Sequence, residues 1–252
     1  MTMKLSLATL VAFFALIVSA TSAHAGLLAY YPFDNDFNDA SGNNNHLTVV
    51  TGMPTISNTA DEYVYGGGAL DADSTTSNEE YLALTNPITF GASDPWSVAF
   101  WVGRRPGTDD RSGMVIGNAD NNADFIWVSM GHHEGLRFRN SGSTDAAEYP
   151  FNDDNQWQHW VVIADGAGNV EGYRDNNYLG SVANITTFSI SHVAQAYANT
   201  IQSMDGQIDE LYIFDHAIDT TAVANLHNNV PEPATFALLG LGGLVAIYRR
   251  SR

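Results

Sequence analysis

Short apolar runs alternate with polar turns along most of this chain. Glycine, asparagine and aspartate interrupt residues 26–228 about every ten residues, a spacing typical of an all-β sandwich. Large apolar side chains recur at every second position in Trp96–Val102 and Trp157–Ile163, as a packed sandwich face requires. The neighbours Phe100 and Trp101 break this alternation and indicate a strand covered on both faces. The pattern predicts strands at Leu27–Phe33, His46–Val50, Tyr81–Leu84, Trp96–Val102, Met114–Ile116, Phe125–Met130, Leu136–Arg139, Trp157–Ala164, Val170–Arg174, Tyr178–Val182, Thr187–Ile190 and Ile208–Phe214.

Two polar turns and one helix complete the predicted elements. Asp165–Asn169 and Asp175–Asn177 separate three consecutive strands, which predicts a meander. Asp219–His227 is the one stretch with a helical pattern, because Asp219 can cap its first turn and two apolar residues share a face.

The first 25 residues have the three parts of a secretory signal peptide. Lys4 supplies the positive start, Leu5–Val18 the apolar segment and Ala23–Ala25 the small-residue cleavage site. The mature chain is therefore predicted to begin at Gly26, outside the cytoplasm.

The other end of the chain, residues 229–252, is a second targeting segment. Its parts are the helix-breaking Pro231, Glu232 and Pro233, an apolar run over 234–248, and a basic end with Arg249 and Arg250. This order resembles the PEP-CTERM sorting signal, whose bearers are cut by an exosortase-type membrane protease. The apolar run covers roughly 22 Å as a helix, against a hydrocarbon core of about 30 Å. We therefore expect a short transmembrane helix that holds a secreted or cell-surface protein transiently; an anchor that is never cut is the alternative.

The composition of the segment between these ends excludes several function classes. It has six arginines, no lysine and 27 acidic residues, so it repels nucleic acids and anionic lipid. We therefore expect the protein to contact a membrane only through its C-terminal tail. It has no cysteine, which excludes disulfides and thiol catalysis.

The order of several stretches carries a second resemblance. They are Ala29–Asp34, Asp39–Gly42, Asn45–His46, Gly67–Leu70, Tyr81–Leu84, Trp96–Val102, Gln156–Val162, Gly172–Asp175 and Met204–Phe214. In this order they resemble a LamG-like domain of the concanavalin A-like superfamily. The resemblance implies an all-β fold: a jelly-roll β-sandwich of two antiparallel sheets over residues 26–228, flanked by the signal peptide and a short C-terminal apolar helix. It also implies that the first and last strands are neighbours.

Oxygen-rich segments at both ends of this domain suit calcium, which takes six to eight oxygen ligands. In LamG-like domains a calcium ion often lies between the opening loop, which is Asp34–His46 in this chain, and the last strand. The resemblance implicates the side chains of Asp39 and Asp209, with backbone oxygens from Asn44 and His46. The ion would be structural. The alternative is that Asp39 and Asn44 close turns and Asp209 pairs with a neighbouring group.

Catalysis is not expected. Glycoside hydrolases of the laminarinase group carry a Glu-x-Asp-x-x-Glu strand, and here Gln207 and Tyr212 replace both glutamates. The remaining carboxylates, Asp209 and Glu210, would point to opposite faces of a regular strand. His132–Glu134 lacks the spacing of a helical zinc site.

The remaining classes are binding and structure. Five of the six arginines lie between residues 104 and 139, and acidic and asparagine-rich loops flank Trp127 and Tyr149. The candidate ligand-binding residues are Arg111, Trp127, Arg137 and Tyr149. The sequence predicts a non-catalytic extracellular carbohydrate-binding or adhesion protein linked to exopolysaccharide or cell-surface matrix, with a polysaccharide or surface glycan as its partner. A structural matrix or coat protein without glycan specificity is the alternative.

Overall fold

Two antiparallel sheets of eight and six strands form the molecule. The computed structural model describes residues 26–73, 79–104, 114–118, 124–129, 135–140, 157–183, 186–195 and 204–228. The elements are β1 (Leu27–Tyr31), β2 (Leu47–Thr51), β3 (Thr55–Ser57), β4 (Ala69–Asp73), β5 (Tyr81–Phe90), β6 (Trp96–Arg104), β7 (Met114–Gly117), β8 (Phe125–Ser129), β9 (Gly135–Arg139), β10 (Gln158–Ala164), β11 (Asn169–Arg174), β12 (Asn177–Ala183), β13 (Phe188–Val193), β14 (Asp205–Phe214) and the helix α1 (Thr220–His227). The predicted all-β sandwich of two antiparallel sheets is confirmed.

The eight-stranded sheet has the order β12-β11-β10-β6-β14-β4-β3, and β1 pairs with the second half of β14. The first and last strands are therefore neighbours, as the resemblance implied. The predicted meander is formed by β10, β11 and β12. Asp175 and Asn176 have positive φ values of 49° and 64°, the conformation that a two-residue hairpin turn requires.

The six-stranded sheet has the order β2-β5-β13-β7-β8-β9. β5 runs to Phe90, although the sequence predicts a strand that ends at Leu84. Asn86 and Pro87 are typical of a strand end. Here the side chain of Asn45 holds the backbone of Asn86 on both sides, accepting from its N–H at 2.8 Å and donating to its carbonyl at 2.9 Å. These hydrogen bonds between residues 41 positions apart hold the backbone of β5 at Asn86, and the strand continues beyond Pro87.

Aromatic side chains fill the space between the sheets. Trp96 is fully buried and stacks on Phe188, with ring centroids 4.7 Å apart, and on Phe90 at 5.5 Å. β6 and β10 are buried on both faces, which confirms the interpretation of Phe100 and Trp101. Burial of these apolar surfaces supplies the main driving force for folding.

A smaller apolar cluster lies on the outer face of the eight-stranded sheet, beneath α1. Val223 of the helix is 1% exposed and packs with residues of β6, β10 and β14. Asp219 caps the helix as predicted, because its carboxylate accepts from Ala222 N at 2.8 Å. In the described residues no helix is long and apolar enough to cross a membrane. The predicted signal peptide and the apolar run over 234–248 lie outside those residues.

Two strands were missed by the sequence pattern. β3 has only three residues, and β4 carries Asp71 and Asp73 among its five. Neither shows a clear alternation, so only their pairing with each other and with β14 defines them.

Candidate functional site

The outer face of the six-stranded sheet carries two aromatic rings covered by arginines. Phe125 and Trp127 of β8 lie on this face, whereas their neighbours along the strand point into the inter-sheet core. Cross-strand pairing places Arg139 opposite Phe125 and Arg137 opposite Trp127. The guanidinium carbon of Arg137 is 4.8 Å from the centre of the Trp127 ring, and that of Arg139 is 5.8 Å from the centre of Phe125. Both distances are those of cation–π contacts.

This group is well ordered by burial. Trp127 and Arg137 are each 7% exposed, and Phe125 is fully buried. A guanidinium loses part of its hydration in such a position, so its attraction to the ring is stronger than at an open surface. The stack is therefore a fixed feature of β8 and β9 and not a chance contact of two long side chains.

A polar rim continues from this group across the sheet. The register aligns Arg139, Phe125, Gly117 and His192 in one row across four strands, so their Cβ positions share a face. Gly117 leaves the middle of the row without a side chain. The rings at the far end are His192 and Tyr81, whose centroids are 5.3 Å apart.

Buried hydrogen bonds fix the rim. Asp124, which is 1% exposed, accepts from the backbone N–H of Ser189 at 3.1 Å. The hydroxyl of Ser191 donates to the side chain of Asn118 at 3.3 Å. Charged and amide groups of this kind, held on a rigid sheet, are suited to orient a polar ligand.

Two of the four predicted ligand-binding residues are therefore brought together. Trp127 and Arg137 face each other on adjacent strands, a pairing that the sequence did not reveal. Arg111 and Tyr149 lie outside the described residues, as do the predicted sorting residues Pro231, Glu232, Pro233, Arg249 and Arg250.

The predicted metal ligands of the opening loop organise that loop. Asp39 accepts from the backbone N–H groups of Tyr30 at 3.0 Å, Ser41 at 2.8 Å and Asn45 at 3.0 Å. Although burial raises the pKa of Asp39, these hydrogen bonds outweigh it and hold the pKa below its usual value. The backbone N–H of Asp39 in turn donates to the ring of His46 at 3.1 Å.

The backbone oxygen of His46 is also engaged. It accepts from the N–H of Thr85 at 3.0 Å and from the hydroxyl of the same residue at 2.7 Å. Asn44 has a φ of 58°, the left-handed conformation of a turn residue.

The fourth predicted ligand, Asp209, is fully buried in β14 and anchored elsewhere. One oxygen, Oδ2, accepts from Val64 N at 2.8 Å and Tyr65 N at 3.1 Å. For the other oxygen, Oδ1, the described residues provide no hydrogen-bond partner. Burial is the main reason that the pKa of Asp209 rises to about 7, and the hydrogen bonds from Val64 and Tyr65 oppose it.

These contacts alone do not define one calcium centre shared by the four residues. The carboxylate of Asp39 accepts hydrogen bonds from within the opening loop, and the carbonyl oxygen of His46 accepts from β5. The carboxylate of Asp209 instead accepts from the backbone N–H groups of residues 64 and 65. Across the described ranges, no group of three or more His, Asp or Glu side chains is arranged to hold a metal ion. Calcium binding stays a prediction, and no step of the function below depends on it.

A bulge in β14 changes the position of Glu210. The register advances three residues from Asp209 to Tyr212 while β6 advances two, and Glu210 has a φ of 53°. Its carboxylate accepts from the hydroxyls of Tyr30 at 2.9 Å and Tyr212 at 2.5 Å. Asp209 and Glu210 therefore both lie on the outer face, and the prediction of opposite faces is wrong because it assumed a regular strand.

This carboxylate pair is buried and engaged within the protein. Asp209 is fully buried and Glu210 is 6% exposed, and each accepts hydrogen bonds from neighbouring groups. Burial also raises the pKa of Glu210.

The sequence did not single out a polar ring cluster on the outer face of the eight-stranded sheet. Trp101 of β6 lies against His159 of β10 and against His227, the last residue of α1, with ring centroids 5.1 Å and 5.3 Å away. The ring of Tyr65 meets Trp101 edge-on at 5.9 Å. Burial, with a smaller effect from His227, lowers the pKa of His159 to about 3. No short-range signal could have found this cluster, because its members come from four distant segments.

The fold and these sites define a two-sheet β-sandwich with a terminal helix on one outer face. The chain matches the family described as the concanavalin A-like lectin/glucanases superfamily over residues 75–224, more than half of its length, and it belongs to that family. Residues 229–252 match the PEP-CTERM protein-sorting motif, which indicates a cell-surface protein sorted by an exosortase. Both resemblances seen in the sequence are confirmed. No curated protein sequence matches the chain.

Solved structures share the fold at low identity. Domain 4 of AbnA, an extracellular arabinanase from Geobacillus stearothermophilus in complex with arabinotriose, aligns with a TM-score of 0.62 and 22% identity, over 81% of this chain and 98% of that one. The binding domain of Paraclostridial Mosquitocidal Protein 1 aligns with 0.57 and 16%, over 81% and 52%. A structure of botulinum neurotoxin type C, whose cell entry is dependent upon interaction with two ganglioside molecules, aligns with 0.59 and 14%, over 84% and 53%. This chain thus spans about half the length of the two toxin structures.

Proposed function

We propose that this protein is a non-catalytic, extracellular carbohydrate-binding or adhesion protein that binds its glycan on the outer face of the six-stranded sheet. The observation that carries the proposal is the stacking of Arg137 on Trp127, 4.8 Å apart, on the face that points away from the core. An arginine and an aromatic ring in this arrangement do not serve the inter-sheet packing. Each is 7% exposed, so a ligand would meet their edges, an aromatic rim beside a group with five hydrogen-bond donors.

The chemistry of this face matches a sugar ligand. Sugar rings present flat C–H surfaces to aromatic rings and hydroxyl or carboxylate oxygens to arginine. Arg139 and His192 add donors and acceptors on the same sheet. In a chain of net charge −18, two arginines side by side also make this face less repulsive to uronic or sulfated sugars than the remaining surface.

The structural neighbours support binding rather than hydrolysis. The aligned structures include a domain in complex with arabinotriose, a toxin binding domain, and a neurotoxin whose cell entry depends on interaction with two ganglioside molecules. The superfamily also contains glucanases. Here the two glutamates of that chemistry are replaced by Gln207 and Tyr212, and the remaining carboxylates are buried.

The two targeting segments support a place of action outside the cell. In this proposal the signal peptide directs export, the tail over 229–252 holds the chain briefly in the membrane, and the exosortase-type protease then cuts it near Pro231–Pro233. The sandwich over residues 26–228 is thereby released or transferred to the cell surface, where exopolysaccharide is its partner.

A polysaccharide retention assay tests the proposal. The segment 26–228 is suitable because both sheets and their core lie within it. It is applied to immobilised neutral, uronic and sulfated polysaccharides. We expect retention on at least one of them, and we expect Arg137→Gln to weaken that binding about tenfold or more, a loss of about 1.4 kcal/mol.

Arg174→Gln is the matched control. Arg174 is the cross-strand partner of Trp160 in the other sheet, with its guanidinium carbon 5.9 Å from that ring. The control variant should bind like the wild type. Absence of retention on every polysaccharide, or equal loss in both variants, would contradict the proposal.

The second candidate function is a matrix or coat protein that associates with itself. The observation that favours it is an exposed apolar edge of the sandwich.

A further inference from the structure

Three exposed apolar residues follow one another closely in the chain at one corner of the sandwich. In the described part of the chain, the large hydrophobic residues with exposed side chains are Val49 (48%), Val50 (48%), Met53 (81%) and Tyr178 (56%). The first three fall within five residues of one another, at the end of β2 and in the turn to β3. We call these three residues the β2 corner.

The local backbone explains the exposure. β2 is the outermost strand of the six-stranded sheet in its described order, so one of its edges has no neighbouring strand there. The β2–β5 register slips between Val49 and Thr51, which makes Val50 an additional residue. Gly52, with a φ of 72°, then turns the chain towards β3 in the other sheet. The β2 corner therefore lies where the edges of the two sheets meet.

This corner also lies in an unusual gap in the charge pattern. Residues 40–60, 21 in succession, contain no Asp, Glu, Lys or Arg, and β5 behind β2 contains none either. Charged residues make up 15% of the chain, so about three would be expected in a stretch of this length.

The lack of charged residues in this segment favours a second copy of the chain as the partner that packs on the corner. Two copies of a chain with net charge −18 repel one another wherever their carboxylates meet. A contact between copies is therefore most favourable where both surfaces are apolar and carry few charges. One carboxylate, that of Glu80, lies beside the corner, where its two oxygens accept from the backbone N–H groups of Met53 at 3.1 Å and Asp73 at 2.8 Å.

The opposite edge of the eight-stranded sheet is a weaker candidate. β12 presents one exposed ring, Tyr178, which packs edge-on against Tyr173 at 5.3 Å. Its neighbouring strand β11 carries Glu171 and Arg174 opposite β12 residues. Charge and a single apolar side chain make that edge less suited to contact between copies.

We propose that the β2 corner is a self-association surface, at which a second copy of this chain packs its own Val49, Val50 and Met53 across a two-fold axis. A two-fold arrangement is expected because a contact between the same patch on two copies is isologous. The patch is small compared with a standard interface, so the dimer is weak in free solution. It is strengthened where copies are concentrated at a cell surface. This inference goes beyond glycan binding and does not depend on it.

Sedimentation equilibrium of the segment 26–228 tests the proposal over a range of concentrations, at low and high salt. We expect a monomer–dimer equilibrium that shifts towards dimer as salt screens the carboxylates. Met53→Glu and Val50→Glu should each weaken association at least tenfold, because they place a carboxylate at the symmetric contact. Both positions are exposed, so circular dichroism should show the wild-type fold.

Tyr178→Glu is the matched control, since it adds the same charge at the other exposed apolar position. It should dimerise like the wild type. The proposal is overturned if the wild type is monomeric under all conditions, or if Tyr178→Glu disrupts association as strongly as Met53→Glu. The polysaccharide assay is read separately. If Met53→Glu and Val50→Glu lose the dimer but keep glycan retention, the result supports this proposal alone. If the wild type is monomeric but is retained on glycan, the result rejects this proposal alone.

Discussion

The ring of Trp101 lies nearly parallel to that of His227, with an interplanar angle of 18° and centroids 5.3 Å apart. Trp101 belongs to a central strand of the eight-stranded sheet, and His227 is the last residue of α1. The hydroxyl of Tyr65 donates to the carbonyl oxygen of His227 at 2.9 Å, so two contacts hold the end of the helix. The sorting motif begins two residues later, at position 229.

Tyr65→Phe should loosen this helix end. The substitution keeps the ring against Trp101 but removes the hydrogen bond, which costs about 1 kcal/mol. We expect faster amide hydrogen exchange in α1 with little change in the central strands. Tyr63→Phe, two positions away, is the control. Equal exchange rates in the wild type and Tyr65→Phe would contradict a role for this bond.

His159 should make the stability of the protein fall in mild acid. Its pKa is about 3 in the folded state, against about 6.5 when unfolded, so the folded state holds it neutral. The unfolded state binds the extra proton, and stability that is fully present above pH 6.5 is lost as the pH falls towards 3. The slope approaches about 1.4 kcal/mol per pH unit.

His159→Gln should flatten the pH dependence of the unfolding free energy between pH 6.5 and 4, measured by urea denaturation. His216→Gln is the control, because the side chain of His216 is 47% exposed. The prediction concerns the slope, so an overall loss of stability in His159→Gln does not affect it. Parallel curves for the wild type and His159→Gln would refute it.

The calcium prediction is tested by chelation. If an ion links Asp39 and Asp209, a chelator lowers the melting temperature and Asp209→Ala abolishes that difference. Asp165→Ala is the control: Asp165 accepts from the backbone N–H groups of Ala167 and Asn169 in a distant turn, so this variant should keep the response to chelator. An unchanged melting curve with chelator would show that the site assignment is wrong.

Asp39 contributes to stability independently of any ion. Asp39→Ala removes the acceptor of three backbone N–H groups and should cost about 2–4 kcal/mol, with or without chelator. Chemical denaturation measures this cost. A loss seen only when calcium is present would mean that the carboxylate acts through the ion instead.

Asp219→Ala should destabilise α1 by about 1 kcal/mol, because Ala222 N loses its acceptor. Asp219→Asn keeps an oxygen in place and should cost only a few tenths of that amount. Thermal unfolding of both variants measures the difference. Equal destabilisation would mean that the charge of Asp219, not its hydrogen bond, supports the helix.

The sequence by itself determined the features that depend on neighbouring residues. Alternation revealed β6 and β10, the Asp175–Asn177 turn revealed a hairpin, and Asp219 revealed the start of the only described helix. Each of these signals acts over a few residues, because side-chain direction, turn conformation and capping are local properties. The tail over 229–252 could be recognised for the same reason.

The tertiary structure decided which of these residues meet. The pairing of Trp127 with Arg137 follows from the β8–β9 register, and the position of Glu210 follows from a bulge in β14. Hydrogen bonds with Asn45 hold β5 at Asn86, just before Pro87, and Trp101 contacts rings from three other segments. Register, bulges and contacts across tens of residues are set by the packing of whole sheets, so the pattern along one strand does not contain them.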